Sequence, residues 1–436
     1  MPFNPPAMFR ALNSRNYRLF FVGQTLSLIG TWMTRIATSW LIYKLTGSAL
    51  LLGTLGFAGQ IPTFLLAPFA GVIVDRWDRF KILKITQTLA MLQSFALAYL
   101  TITDRITVAE VIALSVLQGV INAFDTPARQ SFMVRMVDRK EDLGNAIALN
   151  SSMVNSARLI GPSIAGILIA AVGTGWCFFV DGVSYLAVIT SLLMMRVEAQ
   201  AARGAGQKSP LGELVDGYRY VAGFRTVTFI LTLLALISLV GMPYTVLLPL
   251  FATRILHGGP KMLGWMMSAV GLGALTGAIT LAARKSVRGL TRILPRASVI
   301  FGVGLIGFSL SHAVWLSMLL LLVTGFGFIS QLASGNTLIQ TIVDDSKRGR
   351  VMAFYTMAVM GTVPFGSLLA GVCASRFGPP ATLLGGGICC IFGGLWFWSR
   401  RPAIRGELRP IYIEMGILSA EQPGQEPMTE EKVAAG

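Results

Sequence analysis

The chain has 436 residues, 54% of them hydrophobic and only 13% charged, with a mean hydropathy of +0.66. Soluble domains carry roughly 25% charged residues, so this composition excludes an ordinary soluble fold and indicates an integral membrane protein. The net charge of +16 raises nucleic acid as a partner, and the positions of the charges decide against it.

In windows of about 19 residues, apolar spans fall near 18–43, 50–74, 82–102, 107–125, 144–171, 176–195, 226–253, 262–283, 294–311, 314–337, 350–373 and 379–399. Each can cross a hydrocarbon core of roughly 30 Å, so the expectation is an all-α integral membrane protein with twelve transmembrane helices. With the N-terminus inside, five basic residues lie in outward loops (Lys44, Arg105, Arg254, Lys261 and Arg376) and two within spans (Arg35 and Arg158). The remaining Lys and Arg face inward. This is the positive-inside pattern of a multi-pass plasma-membrane protein with both termini cytoplasmic, and it leaves no basic patch for nucleic acid. The first apolar run is too long for a signal-peptide core and lacks an Ala-x-Ala end. Cys177, Cys373, Cys389 and Cys390 have no metal spacing, and His257 and His312 stand far apart, so no metal site is expected.

Taken in order, residues 1–17 form a cytoplasmic tail with Arg10 and Arg15. Helix 1 carries Gln24 and Gly30 and then Thr31-Trp32-Met33-Thr34-Arg35. Arg18 to Arg35 is about 26 Å at ~1.5 Å per residue, which puts Arg35 in the outer part of the bilayer as a snorkelling or a cavity-facing cation. Helix 2 contains Gln60, Pro62 and Pro68, which can kink it. It ends in the charged hinge Gly71-Val72-Ile73-Val74-Asp75-Arg76-Trp77-Asp78-Arg79-Phe80-Lys81, which must turn the chain back at once. Helix 4 contains Gln118, Gly119 and Asn122 and leaves through Asp125-Thr126-Pro127-Ala128-Arg129-Gln130. If the helix continues past Pro127, Asp125 and Arg129 form an i,i+4 pair, either a solvated surface pair or a gate.

Helix 5 reads Ala157-Arg158-Leu159-Ile160-Gly161-Pro162-Ser163-Ile164-Ala165-Gly166. Small residues at 157, 161 and 165 share a face and allow close helix approach, while Pro162 removes a hydrogen bond. Helix 6 carries Asp181, which must be paired or neutral in hydrocarbon, either as a functional carboxylate or as a structural ion-pair partner. Counting from the helix ends, Arg158 and Asp181 reach the same level, so an Asp181–Arg158 or Asp181–Arg35 pair is expected. One carboxylate cannot neutralise two guanidiniums, so the cavity should retain positive charge and favour an anionic or electron-rich substrate.

Residues 197–225 form a linker in which Leu211, Leu214, Val215, Tyr218 and Val221 repeat as the apolar face of a helix lying on the membrane surface. It separates six-helix halves at 18–196 and 226–400. These halves repeat: residues 130–138 align with 336–344, Gly71 with Gly277, and Gly144, Gly161, Gly166 and Gly173 with Gly349, Gly366, Gly371 and Gly378. Such a repeat across a cytoplasmic linker builds two parallel halves around a central cavity. The second half has no deep ionisable residue. Its polar groups are Gln331, Asn336 and Gln340, with Pro243 and Pro249 breaking helix 7 and Pro364 helix 11. Residues 401–436, with Glu421, Glu426, Glu430 and Glu431, read as a disordered cytoplasmic tail.

The hinge, with Gly71 four residues before Asp75-Arg76 and then Arg79-x-Lys81, resembles the helix 2–3 loop of the major facilitator superfamily. Asp78 stands where that pattern has its second glycine. The Gly161-Pro162 run resembles the helix 5 signature of the superfamily's drug and siderophore exporters, with Ala157 and Ala165 replacing two glycines. Together with Gly30-Thr31-Trp32, Asp125 to Gln130, Asp181-Gly182-Val183-Ser184-Tyr185 and Gly217 to Val221, these runs are similar to the bacterial enterobactin-exporter and macrolide-efflux branch.

The resemblance implies the major facilitator fold and proton-driven export of small amphiphilic or anionic compounds (siderophore, drug or metabolite) by alternating access. It implies no cofactor beyond the proton gradient and a monomer in the lipid bilayer. An importer is the alternative; an enzyme or receptor lacks the clustered residues or signalling domain it would need. Cavity or coupling candidates are Arg35, Arg158, Asp181, Gln24, Gln118, Asn122, Gln331 and Asn336. Gating candidates are Gly71, Asp75, Arg76, Arg79, Asp125, Arg129, Gly349 and Arg350, with Asp75 expected to face Gly349-Arg350. Ala157, Gly161, Pro162 and Gly166 are packing candidates.

Overall fold

Apolar runs between polar caps become helices, and a computed structural model gives their arrangement for residues 7–196, 210–284, 286–415 and 417, the side chains at 68, 72, 75 and 210–214 excepted. A short 3-10 segment, Ala7–Asn13, precedes the first six helices. These are α1 (Arg15–Thr46), α2 (Ala49–Arg76), α3 (Arg79–Ile102), α4 (Val108–Met136), α5 (Leu143–Val172) and α6 (Thr174–Met194). The connector helix α7 (Pro210–Gly223) leads into the second half. There α8 (Arg225–Val240), α9 (Tyr244–Leu250) and a π turn at Phe251–Ile255 make one broken span. After it come α10 (Pro260–Ala282), α11 (Leu290–Leu310) and α12 (Val314–Ile342). A second broken span joins α13 (Asp345–Thr356), a π turn at Met357–Gly361 and α14 (Val363–Phe377), before α15 (Pro379–Ser399) and α16 (Arg401–Glu414). No strand occurs among the described residues.

Eleven of these spans are long and apolar enough to cross a membrane. α1 has the length for a twelfth, and Gln24, Thr31, Thr34 and Arg35 dilute its hydropathy. The expected breaks at Pro243, Pro249 and Pro364 coincide with the two broken spans, whereas α2 and α5 run through Pro62 and Pro162 as single helices. In the helix 2–3 hinge Asp78 needs no glycine conformation. Its φ is −65°, and its carboxylate accepts from the Phe80 N–H at 2.9 Å, capping α3.

One expectation about the ends is corrected. The stretch after 401 is not a bare tail, because α16 packs Ile404, Leu408 and Tyr412 into the protein. The Glu407 carboxylate accepts from the Thr226 N–H at 2.8 Å and from its hydroxyl at 2.5 Å, satisfying a donor at the start of α8 from outside that helix. Glu421, Glu426, Glu430 and Glu431 lie outside the described residues. The N-terminal segment is also docked: the Ala11 N–H donates to Asn145 at 3.0 Å, and Arg10 pairs with Asp142 at 3.6 Å.

Glycines set how the halves meet. Gly166 of α5 lies against Gly264 of α10, and Gly371 of α14 against Gly53 of α2; an added Cβ at any of the four would come within 2.6 to 2.8 Å of backbone atoms across the junction. The two junctions are related by the internal repeat, as are Gly173 (φ +97°) and Gly378 (φ +86°), each at a turn between long helices that only glycine adopts without strain. Hydrogen bonds between the halves join Ser163 to Ser268, Ser268 to the Leu159 carbonyl, Thr253 to Tyr43, and Arg254 to the Gly47 carbonyl. All lie in the part of the bundle away from the face that carries α7, α16 and the N-terminal segment, here called the basic face.

Candidate functional site

A cavity of about 230 Å³ lies between the halves. α1 supplies Thr31, Trp32, Thr34 and Arg35, α2 Gln60, α4 Gln118 and Asn122, α5 Arg158, and α6 Asp181 and Tyr185. The second half closes it with Met242, Pro243, Thr245, Pro249, Met267 and Ser367. Charge thus comes from one half and a mostly apolar wall from the other, an arrangement suited to an amphiphile.

Both arginines reach the same aromatic ring. The Arg35 guanidinium lies 4.7 Å and that of Arg158 5.4 Å from the centroid of Trp32. Both arginines also line the cavity, so the shared indole holds the two of them beside one space. Trp32 has its place because position 161 is glycine: a Cβ there would sit 2.6 Å from Trp32 Cβ and 3.0 Å from the Ile29 carbonyl. The small-residue face of α5 therefore packs within its own half, and Gly166 makes the contact across the junction. Ala157 is buried, and the Pro162 carbonyl faces the Gly264 position.

The expected ion pair of Asp181 with Arg35 or Arg158 does not form. Asp181 is buried, with Oδ2 accepting from Thr34 Oγ1 at 2.7 Å and from Ser94 Oγ at 2.9 Å, and with Oδ1 unpartnered. The reason is helical geometry. Gly30 and Thr34 share the face of α1 that meets α6, and Gly30 leaves the space that Oδ1 occupies, whereas Trp32 turns toward the arginines.

Below the main cavity a smaller one of about 50 Å³ is lined by Gln24, Gln87, Asp125 and Arg129, and shares Thr31, Gln118, Asn122 and Tyr185 with the first. Gln118 donates to Asn122 at 3.2 Å. α4 does continue through Pro127, so Asp125 and Arg129 pair at 3.5 Å, and the pair is no solvated surface bridge: Asp125 is 5% exposed and also accepts from Thr86 at 3.0 Å and Gln87 at 2.7 Å.

Other candidates lie elsewhere. Gln331 is buried with Oε1 unpartnered and Asn336 accepts from Gln340 at 2.9 Å, and neither lines the two cavities. Arg350 pairs with Asp216 of α7 at 3.7 Å, and Gly71 and Gly349 have open space beside them. Arg76 is exposed and Arg79 partly buried; the Asp75 side chain lies outside the described residues, so its facing of Gly349-Arg350 stays an expectation. Thr34 and Ser94 were missed as partners of Asp181. Thr31, Thr34, Arg35 and Thr38 recur at helical spacing and could have signalled a polar face, while nothing near Ser94 in sequence tied it to α6. Among the described residues no cluster of His, Cys, Asp or Glu could hold a metal ion.

A family model described as transmembrane secretion effector matches residues 7–406. The chain is 28% identical to the staphyloferrin A transporter of Staphylococcus aureus, over 89% of this chain and 98% of that protein. It is 27% identical to the multidrug efflux pump Tap of Mycolicibacterium fortuitum, over 81% and 88%. Among solved structures, a bacterial homolog of the human lysosomal transporter Spinster aligns with a TM-score of 0.69 over 90% of this chain and 98% of that one, at 13% identity.

Proposed function

This chain belongs to the transmembrane secretion effector family of the major facilitator superfamily, and on that footing we propose that it is a proton-driven exporter of small amphiphilic anions working by alternating access. Its relatives are transporters rather than enzymes, and their names span a siderophore transporter and drug efflux pumps. The observation that carries the anionic reading is the pair of guanidiniums on Trp32, neither of which meets a carboxylate within ion-pair distance. In a cavity with low-dielectric walls two such charges attract an anion more strongly than they would in water, and the indole and Met267 side offers an apolar body its contact.

Asp181 takes the coupling role in this reading. Its unpartnered Oδ1 is the position for a proton, and the hydroxyls of Thr34 and Ser94 hold the other oxygen in place. Gln24, Gln118 and Asn122 line the polar route from the Asp125–Arg129 pair to the main cavity. The basic face is then cytoplasmic by the positive-inside rule, the protein acts as a monomer in the bilayer, and nucleic acid is no partner. Gly71, Asp75, Arg76, Arg79, Gly349 and Arg350 act where the halves approach when that face closes.

The test is transport into inside-out vesicles of a panel of amphiphilic anions and cations, with and without a proton gradient. Anion accumulation that collapses with a protonophore and falls in Arg35→Gln at unchanged expression is expected. Preferential transport of lipophilic cations, untouched by that substitution, would overturn the reading.

A further inference from the structure

Two arginines flank one indole on the basic face, with three more beside them, where α11 begins and α15 gives way to α16. The Arg296 guanidinium lies 5.5 Å and that of Arg401 4.2 Å from the ring centroid of Trp398, while Arg400 lies 5.9 Å from Phe229. Arg292 and Arg405 complete the group by their electrostatic effect on Arg401, whose charged form is disfavoured first by burial and then by these neighbours. Among the described residues none of the five makes an ion pair, and Arg401 Nε is buried without a partner. Glu407, on the same helix, is occupied with Thr226.

Like charges so placed repel, and an unpartnered buried N–H costs free energy, so an anion in this cluster of arginines would be favoured. The surface beside it identifies the carrier of that anion. Trp398 is 39% exposed, and from it the outer faces of α15 and α11 run toward the bilayer centre as Leu395, Phe392 and Ile388 and as Val303, all exposed apolar side chains. A soluble anion would use the arginines and leave that stripe unused. A molecule with a phosphate head and acyl chains uses both, and indole rings favour the headgroup level.

We propose that this cluster is a binding site for an anionic phospholipid, its phosphate held by Arg296 and Arg401 across Trp398 and its chains laid along α11 and α15. The site lies outside the transport cavity and does not depend on the identity of the transported compound.

Native mass spectrometry of the full chain in mild detergent, supplemented with phosphatidylglycerol or with phosphatidylcholine, tests it. Retention of phosphatidylglycerol over phosphatidylcholine is expected, weakened roughly 25-fold in Arg296→Gln/Arg401→Gln at about fivefold per basic side chain. Arg405→Gln, at an exposed position with no packing to lose, should weaken it about fivefold. The double variant Arg15→Gln/Arg18→Gln removes the same charge elsewhere and should retain lipid like the parent. Equal retention of the two lipids, equal loss in the Arg15/Arg18 variant, or displacement of phosphatidylglycerol by excess inorganic phosphate would overturn the proposal, the last by showing a site for soluble anions.

Discussion

Trp32 joins the two cavity cations through a single side chain, and its own position rests on the absence of a side chain at Gly161. A cation over an indole gains about 0.5–2 kcal/mol, so Trp32→Leu should loosen both guanidiniums at once and lower anion affinity by roughly tenfold while leaving the fold intact. Substrate binding measured with the purified variant checks this, and an unchanged affinity would mean that the arginines are positioned by something other than the ring. Asp181 works differently because its neighbours are hydroxyls rather than cations. Asp181→Asn keeps an acceptor for Thr34 and Ser94 and loses the proposed proton site. Exchange of substrate across vesicles should therefore persist while accumulation driven by a proton gradient disappears. Retained gradient-driven accumulation would make the carboxylate a structural group only.

Among the elements, the long apolar helices and their Pro breaks were legible because length and hydropathy decide them in a bilayer, and the paired glycines of the repeat gave the two halves. What stayed hidden depended on which face of a helix turns where. Arg158 and Asp181 do line one cavity, yet spacing along the helices says nothing about azimuth, and Asp181 points to α1 and α3 rather than to the arginines. The pairing of Asp125 with Arg129 was legible from i,i+4 spacing, and its burial was not, because Thr86 and Gln87 come from another helix. The sequence of α16 resembles a tail because its charge outweighs three buried apolar residues. Its dependence on Glu407 is testable: Glu407→Ala leaves the buried Thr226 donors unsatisfied, which costs about 1–3 kcal/mol. A lower thermal midpoint is expected, with Glu407→Gln recovering part of it, and equal midpoints for parent and alanine variant would show that water replaces the carboxylate.

For the whole molecule, the closest backbone approaches and the hydrogen bonds between halves fall at and beside the two glycine junctions, away from the basic face. In the proposed alternating cycle these junctions break and others form near Asp75 and Arg350; Arg350 is now paired with Asp216 of the connector helix. If Asp75 belongs to that gate, as proposed, Asp75→Asn weakens only the second set. It should favour the arrangement seen here, and distances across the basic face that do not change in this variant would remove Asp75 from the gate.

Substitution at Gly264 acts on the first set. A Cβ there would lie 2.7 Å from the Pro162 carbonyl and 3.1 Å from Gly166 Cα, so Gly264→Val forces α5 and α10 apart only in the arrangement described here. Overpacking of this kind costs about 1–3 kcal/mol, which converts to a shift of roughly 5- to 150-fold toward the arrangement opened at that junction. Because the junction is duplicated by the repeat, Gly371→Val at the α14–α2 contact should shift the population in the same direction. Spin labels placed on the loops after α1 and after the Phe251–Ile255 π turn would then report longer distances in both variants than in the parent. A distance distribution left unchanged by both substitutions would show that the glycine junctions are static packing, with the halves moving about some other contact.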